Sequence, residues 1–174
     1  LVLITISIFI MGFVSKNIAQ VLSIQLDTAQ IWHNVVVVFL ALGILLSISS
    51  LFRAWFVSYK AYLLQLCKLF VSGSRLSVVG LCLIAAIGEE LFFRGVVQHY
   101  LGLGMTSLIV LVLYSLSNLK LSAWSLFGFL QSILLGVVFI EVGSIYPAIM
   151  IHFALNLNTL LRPALVAEIP IKSK

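Results

Sequence analysis

The chain has 174 residues, of which 63% are hydrophobic and only 9% charged, with a net charge of +5 and a mean hydropathy of +1.25. Soluble domains carry about 25% charged residues, so this composition excludes a soluble globular protein. The apolar runs are continuous, which argues against a β-barrel, and the basic residues are spread between these runs, which argues against nucleic-acid binding.

Six apolar segments approach the length of about 20 residues that a membrane-spanning helix needs. In chain order they are residues 1–22, 34–52, 76–99, 104–119, 122–141 and 145–162. The fourth is short, so we expect it to be tilted or kinked, or to cross only part of the membrane. The sequence therefore predicts an all-α, polytopic membrane helix bundle of about six transmembrane helices. We expect one membrane-embedded domain over residues 1–174, with its upstream part missing because Leu1 lies inside an apolar run.

The segment of residues 53–75 differs from the six apolar ones because it mixes basic and aromatic residues. Arg53, Lys60, Lys68 and Arg75 stand among tryptophan, phenylalanine and tyrosine residues. This pattern predicts an amphipathic helix at the membrane interface, with rings at the headgroup level and lysines reaching towards water. A short membrane hairpin is the alternative.

The distribution of lysine and arginine predicts the orientation of the chain. With six alternating spans, the basic residues Arg53, Lys60, Lys68, Arg75, Lys120, Arg162, Lys172 and Lys174 share one side. The opposite loops, near residues 23–33, 100–104 and 142–145, contain no lysine or arginine, and only Lys16 fits this arrangement poorly. The positive-inside rule places the basic side, including the C-terminus, in the cytoplasm. A bacterial cytoplasmic membrane is the predicted location.

Two adjacent glutamates, Glu89 and Glu90, lie inside the third apolar segment, followed by Arg94. A charged residue at hydrocarbon depth costs several kcal/mol unless it is paired or hydrated, so such residues mark functional sites. On a helix, Glu90 and Arg94 are one turn apart and face each other. Glu89 projects about 100° away around the helix and has no partner on its own helix. A carboxylate in such a place is suited to general acid–base catalysis. A salt bridge that only fixes helix packing would leave Glu89 unexplained.

His152 and Asn156 form a second polar pair, one helical turn apart in the last apolar segment. Both side chains project from one face of the helix, among apolar neighbours that offer no local partner. A histidine can donate a hydrogen bond to a developing oxyanion, and an asparagine can hold a carbonyl group or a water. A histidine buried only for packing is the alternative.

Tyr114 and Asn118 have the same spacing near the end of the fourth segment, where Asn118 could also serve as a helix cap. Glu141 lies at the end of a span and is expected to be solvated. Zinc proteases often contain H-E-x-x-H, which is absent, and Glu89, Glu90 and His152 are too few strong ligands. We expect no metal ion and no other cofactor.

These three motifs together resemble one family, the intramembrane glutamic endopeptidases of the CAAX prenyl protease type II and bacteriocin-processing group (CPBP or Abi). The family motif E-E-x-x-x-R stands here as Glu89 to Arg94, and H-x-x-x-N stands as His152 to Asn156. Order and spacing match over residues 76–160. The middle motif departs from the family, because Asn118 occupies the position of a histidine four residues after the aromatic Tyr114.

The resemblance implies a mechanism of peptide hydrolysis in the membrane. Glu89 would activate a water, His152 and Asn156 would stabilise the oxyanion, and Glu90 with Arg94 would support Glu89. In the family the middle histidine assists the first glutamate; Asn118 can hold a water but cannot take its proton. The implied partners are the lipid bilayer and a peptide or membrane-protein substrate, including prenylated peptides.

Three functions stay open at this point. The first is an active glutamic intramembrane endopeptidase. The second is a catalytically impaired relative that binds membrane peptides or partner proteins, which Asn118 favours. The third is a transporter or channel that uses Glu89, Glu90 and Arg94 as an ion relay.

Overall fold

The computed structural model describes residues 28–70, 74–117 and 121–160, and all regular elements in these ranges are helices. In chain order they are α1 (Thr28–Trp55), α2 (Val57–Phe70), α3 (Arg75–Glu90), a π-helix (Leu91–Val97), α4 (Gln98–Ser117), α5 (Ala123–Val142) and α6 (Tyr146–Leu160). The predicted all-α membrane helix bundle is confirmed. The first predicted span, residues 1–22, lies outside the described residues.

Three helical stretches are long and apolar enough to cross a membrane, namely Gln30–Trp55, Leu76–Leu116 and Ala123–Val142. The second stretch has 41 residues and contains the third predicted segment and most of the fourth. The fourth helix begins at Gln98, before the predicted start at residue 104. Helix α6 coincides with the last predicted segment, although its 15 described residues are fewer than a full span needs.

The long stretch is divided at Gly102, where the backbone leaves the helical conformation with φ 76° and ψ 172°. This left-handed φ is readily adopted only by glycine. The chain reverses here, because Tyr114 on α4 comes back into contact with Glu89 on α3. The predicted break near residues 100–104 therefore corresponds to the tip of a helical hairpin.

Serine and glycine residues mark the helix ends. The Ser74 side chain accepts a hydrogen bond from the Ser77 amide at 3.1 Å and begins α3. Ser122 and Ser125 form a reciprocal capping box at the start of α5. Gly143 ends α5 with a left-handed φ of 69°, and Pro147 follows in the first turn of α6.

The apolar core lies where α1, α5 and α6 meet. Its buried members are Ala41, Leu45, Leu135, Val138, Val142, Ala148, Ile151 and Leu155. Outside this core, many large apolar side chains on α1 and α4 are exposed. An exposed apolar surface of this extent suits contact with lipid acyl chains.

Helix α2 is one continuous helix over Val57–Phe70. This agrees with the predicted amphipathic helix in residues 53–75 and not with the alternative, a membrane hairpin. Its stripe of Tyr59, Leu63 and Cys67 is buried against Ala123 and Phe127 of α5. Tyr59 is 1% exposed and so faces the protein interior, while the headgroup level of the α2 tyrosines stays a prediction. The ring is buried because the stripe repeats every fourth residue and so packs onto one neighbouring surface.

A close approach of α4 and α5 at Gly136 leads to a prediction about stability. The Gln98 amide nitrogen donates to the Gly136 carbonyl at 3.0 Å, and a Cβ at Gly136 would lie 2.7 Å from Gln98 Oε1 and also overlap Leu103. Gly136→Ala should therefore destabilise the fold by about 1–3 kcal/mol, measured as a lower unfolding temperature in detergent. Gly104→Ala, where a Cβ meets open space, is the control. Equal unfolding temperatures for the two variants would contradict the expected overlap.

Candidate active site

The two adjacent glutamates lie at the end of α3 and point to different sides of the helix, as their spacing predicts. Glu90 is 1% exposed, whereas the Glu89 side chain keeps 27% of its surface exposed. A buried carboxylate needs compensating charge or hydrogen bonds, while a partly open one can meet water. The two glutamates therefore occupy different environments.

Glu90 is held by charged and polar groups from two helices. Its Oε2 lies 3.1 Å from Arg94 Nε, which confirms the predicted pairing of these two side chains. The contact is an ion pair without hydrogen-bond geometry. Glu90 Oε1 lies 2.8 Å from His152 Nδ1 on α6, and Arg94 Nη1 donates to Ser132 Oγ on α5 at 3.3 Å. The ion pair thus ties three helices together at one buried point.

The helix changes type directly after Glu90. Residues Leu91–Val97 form a π-helix, with Phe93, Arg94 and Val96 buried. The regular α-helix predicted through this region is therefore wrong for Leu91–Val97. Wider π-turns are uncommon and are frequently found at functional sites.

Glu89 has partners on two other helices, which its own helix could not indicate. The Tyr114 hydroxyl donates to Glu89 Oε2 at 3.1 Å, and His152 Nε2 lies 3.9 Å from the same oxygen. Both partners come from other helices, α4 and α6, so their approach depends on the hairpin at Gly102 and on helix packing. Spacing along one helix could not show this.

His152 lies between the two glutamates. It is 5% exposed, with Nδ1 near Glu90 and Nε2 near Glu89. With the Glu90 carboxylate as acceptor, Nδ1 carries a proton and donates, which leaves Nε2 directed towards Glu89. The sequence offered no partner for this histidine, and its partners come from α3.

A cavity of about 560 Å³ brings the predicted polar residues together. Glu89, His152 and Asn156 all line it, with Tyr114 beside them. The remaining wall is largely apolar and aromatic, from Tyr62, Leu81, Cys82, Ala85, Leu113, Trp124, Phe127, Leu155 and Leu160, with a few polar groups from Ser49, Gln131 and Thr159. A mostly apolar pocket with few convergent polar groups is typical of a binding or active site.

Two predictions remain, one on the place of Asn118 and one on metal ions. Asn118 lies outside the described residues, so its place relative to Glu89 stays a prediction. Within the described ranges, no group of three or more His, Cys, Asp or Glu side chains is arranged to hold a metal ion.

Several residues of the site carry no clear signal in the sequence or were not predicted from it. Tyr62 on α2 and Trp124 on α5 line the cavity, and Gln131 lines both it and a smaller pocket beside Arg94. Gln131 and Ser132 form a polar pair inside an apolar span, and that signal could have found them. Tyr62 and Trp124 look like ordinary interfacial aromatics in the sequence, so nothing marked them.

Comparison with known proteins gives two matches. The family model for type II CAAX prenyl endopeptidase Rce1-like proteins matches residues 71–158, about half of the chain. The uncharacterized protein YpbD of Bacillus subtilis (strain 168) is 34% identical over 91 residues, which cover 51% of this chain and 47% of that protein. The match thus spans about half the length of this relative. No solved structure matches the chain.

Proposed function

The chain belongs to the Rce1-like family of type II CAAX prenyl endopeptidases, and we propose that it is an intramembrane endopeptidase in which Glu89 activates the attacking water. The family consists of membrane-embedded proteases, so family membership supports a peptide substrate without identifying which peptide. One observation supports the specific role most strongly. Glu89, His152 and Asn156 line one cavity, while Glu90 is withdrawn into buried ion pairs.

The proposed reaction is the hydrolysis of a peptide bond by one water. Glu89 takes a proton from the water as its oxygen bonds to the carbonyl carbon, and the carbonyl electron pair moves onto oxygen. The tetrahedral intermediate then collapses, the carbon–nitrogen bond breaks, and protonated Glu89 gives its proton to the leaving amine. Glu89 thus serves as base and then as acid, so one carboxylate suffices for both steps.

His152 and Asn156 are proposed to stabilise the oxyanion. Asn156 is one turn beyond His152 on α6, and both line the cavity beside Glu89. When His152 is protonated on both nitrogens, Nε2 is a hydrogen-bond donor. The two carboxylates of the site, Glu89 and Glu90, are then balanced by two cations. Donors that are already oriented when charge develops on the oxygen typically contribute about 10²–10³ in rate each.

Glu90 and Arg94 are proposed to support this arrangement rather than to react. Their ion pair is buried on both sides, with each side chain 2% exposed. Glu90 also orients His152 through the contact of 2.8 Å with Nδ1. A change at either residue should therefore disturb the position of both Glu89 and His152.

We propose a membrane-associated or prenylated peptide as the substrate, because the cavity wall is mainly apolar. The proposed location is the bacterial cytoplasmic membrane with the C-terminus in the cytoplasm, as the distribution of lysine and arginine indicates. The family-like core of residues 76–160 and the rest of the chain are proposed to form one membrane-embedded domain.

A catalytically impaired protein that binds membrane peptides is the second candidate, and Asn118 favours it. An asparagine can hold the attacking water but cannot accept its proton. Loss of a positioned acid–base group typically lowers the rate by about 10²–10⁴. The two candidates share the fold and the cavity and differ in turnover.

Asn118→His separates these candidates. The purified chain and the variant are reconstituted in liposomes with labelled membrane peptides, and the cleaved bond is identified by mass spectrometry, with Glu89→Ala as the blank. Turnover by the unchanged chain supports the protease. Turnover only in Asn118→His, with a gain of about 10²-fold or more over the blank, supports the impaired protein. Absence of cleavage in both would contradict the proposed hydrolysis.

A further inference from the structure

One face of α5 provides a flat seat for the Tyr114 ring. Trp124 and Gly128 are one helical turn apart on this face. The Tyr114 ring stacks on the Trp124 ring with 5.9 Å between centroids and 8° between planes. At Gly128 the same ring lies so close that a Cβ would overlap its edge, 2.5 Å from Cε2. We call Trp124 and Gly128 the aromatic seat.

A residue of a second helix, α2, packs against the aromatic seat. The Tyr62 ring of α2 stacks on Trp124 with 4.4 Å between centroids and 28° between planes. Offset stacking of this kind contributes beyond the area that it buries. Trp124 therefore lies against both Tyr62 and Tyr114, which limits the positions that the Tyr114 ring can take.

The seated ring directs its hydroxyl at one oxygen of Glu89. Tyr114 donates to Oε2, and His152 Nε2 lies nearest that same oxygen. Glu89 itself lines the cavity. One of its carboxylate oxygens, Oε2, is thus approached by groups from two other helices, in a side chain that borders the space where we propose that a water binds.

Packing alone does not require this hydroxyl. A phenylalanine would fill the space against Trp124 and Gly128 equally well, but it could not donate a hydrogen bond to Glu89. Asn118, in place of the family histidine, stands one turn later in the sequence. The Tyr114 hydroxyl therefore provides a hydrogen-bond donor to Glu89 that a phenylalanine would lack.

We propose that Tyr114 is a positioning residue for catalysis: its hydroxyl, held by the aromatic seat, fixes Glu89 Oε2 and so directs Oε1 at the attacking water. This inference rests on the proposed function, because it concerns the same base and the same water. It adds Tyr114, Trp124 and Gly128 to the residues on which turnover depends.

Tyr114→Phe tests the hydroxyl in the full chain reconstituted in liposomes. We expect kcat to fall by about 10- to 100-fold, the range for a hydrogen bond to a charged group, with KM and the unfolding temperature unchanged. Tyr146→Phe, at an exposed tyrosine of α6, is the matched control and should retain the full kcat. If Tyr114 served packing alone, Tyr114→Phe would leave kcat unchanged, because a phenylalanine ring fills the same space.

Gly128→Ala tests the seat without touching the hydroxyl. The added Cβ must displace the Tyr114 ring, so kcat should fall as in Tyr114→Phe. In Tyr114→Phe/Gly128→Ala the hydroxyl is already absent, so moving the ring has no further effect on Glu89 and kcat should equal that of Tyr114→Phe alone. Gly80→Ala, where a Cβ meets open space, is the control for adding a methyl group to a helix.

The outcomes separate this inference from the proposed function. If the unchanged chain cleaves and Tyr114→Phe has the same kcat, the positioning role is wrong and the protease stands. Additive losses in Tyr114→Phe/Gly128→Ala would also overturn it, because Gly128 would then act through another residue. If the unchanged chain forms no more product than Glu89→Ala does, the proposed function itself fails.

Discussion

Glu89→Ala is expected to abolish peptide cleavage, with a fall in kcat/KM of about 10⁴ or more, at the upper end for a positioned acid–base group. The effect is large because Glu89 would take the proton of the water and later protonate the leaving amine. Glu89→Gln should be nearly as inactive, since the amide keeps the shape of the side chain but cannot accept that proton. The measurement is the initial rate of product formation in liposomes.

The control for this loss is a glutamate of the same chain that lies away from the cavity. Glu141 is exposed near the end of α5, and Glu141→Gln should retain the activity of the unchanged chain. Retention of full activity in Glu89→Gln would show that the proton goes elsewhere, and the assignment of the base to Glu89 would be abandoned.

Arg94→Met is expected to have the largest effect on stability. The variant leaves Glu90 buried without the guanidinium that pairs with it, and removal of one partner of a buried ion pair typically costs about 3–5 kcal/mol. It also removes the hydrogen bond to Ser132 that joins the π-helix to α5. We expect a marked fall in the unfolding temperature in detergent and a low yield of folded protein.

The double variant Glu90→Gln/Arg94→Met separates lost charge balance from lost packing. It removes both charges, so most of the stability lost in Arg94→Met should return. His152 would lose its charged partner at the same time, so activity should stay low although the fold recovers. A double variant as unstable as Arg94→Met would mean that the arginine acts mainly through packing and through Ser132.

The features that the sequence predicted well are those that depend on one helix. The pairing of Glu90 with Arg94 and the shared face of His152 and Asn156 follow from a spacing of four residues. The break predicted near residues 100–104 lies between two apolar segments, and Gly102 is the residue with the left-handed backbone there. The all-α bundle follows from long apolar runs, because only helices satisfy their own backbone within such runs in lipid.

The features that the sequence left undetermined depend on how the helices pack. The partners of Glu89 come from α4 and α6, and no spacing on α3 indicates which helix will approach it. Tyr62 lies in a basic and aromatic segment typical of a membrane interface, yet its ring stacks on Trp124 of α5. The π-helix after Glu90 has no recognisable local signal, because the residues of Leu91–Val97 would equally suit an α-helix.

The reversal at Gly102 also sets the depth at which a substrate must be presented. Glu89 lies roughly 20 Å from the tip of the hairpin along the helix axis, at about 1.5 Å per residue. With the tip at one surface of a hydrocarbon layer about 30 Å thick, the carboxylate lies about 10 Å from the opposite surface. An extended chain advances about 3.3 Å per residue, so a peptide end entering from that surface reaches Glu89 within about three residues. Under the proposed function, short unfolded tails entering from that surface would thus be within reach of Glu89.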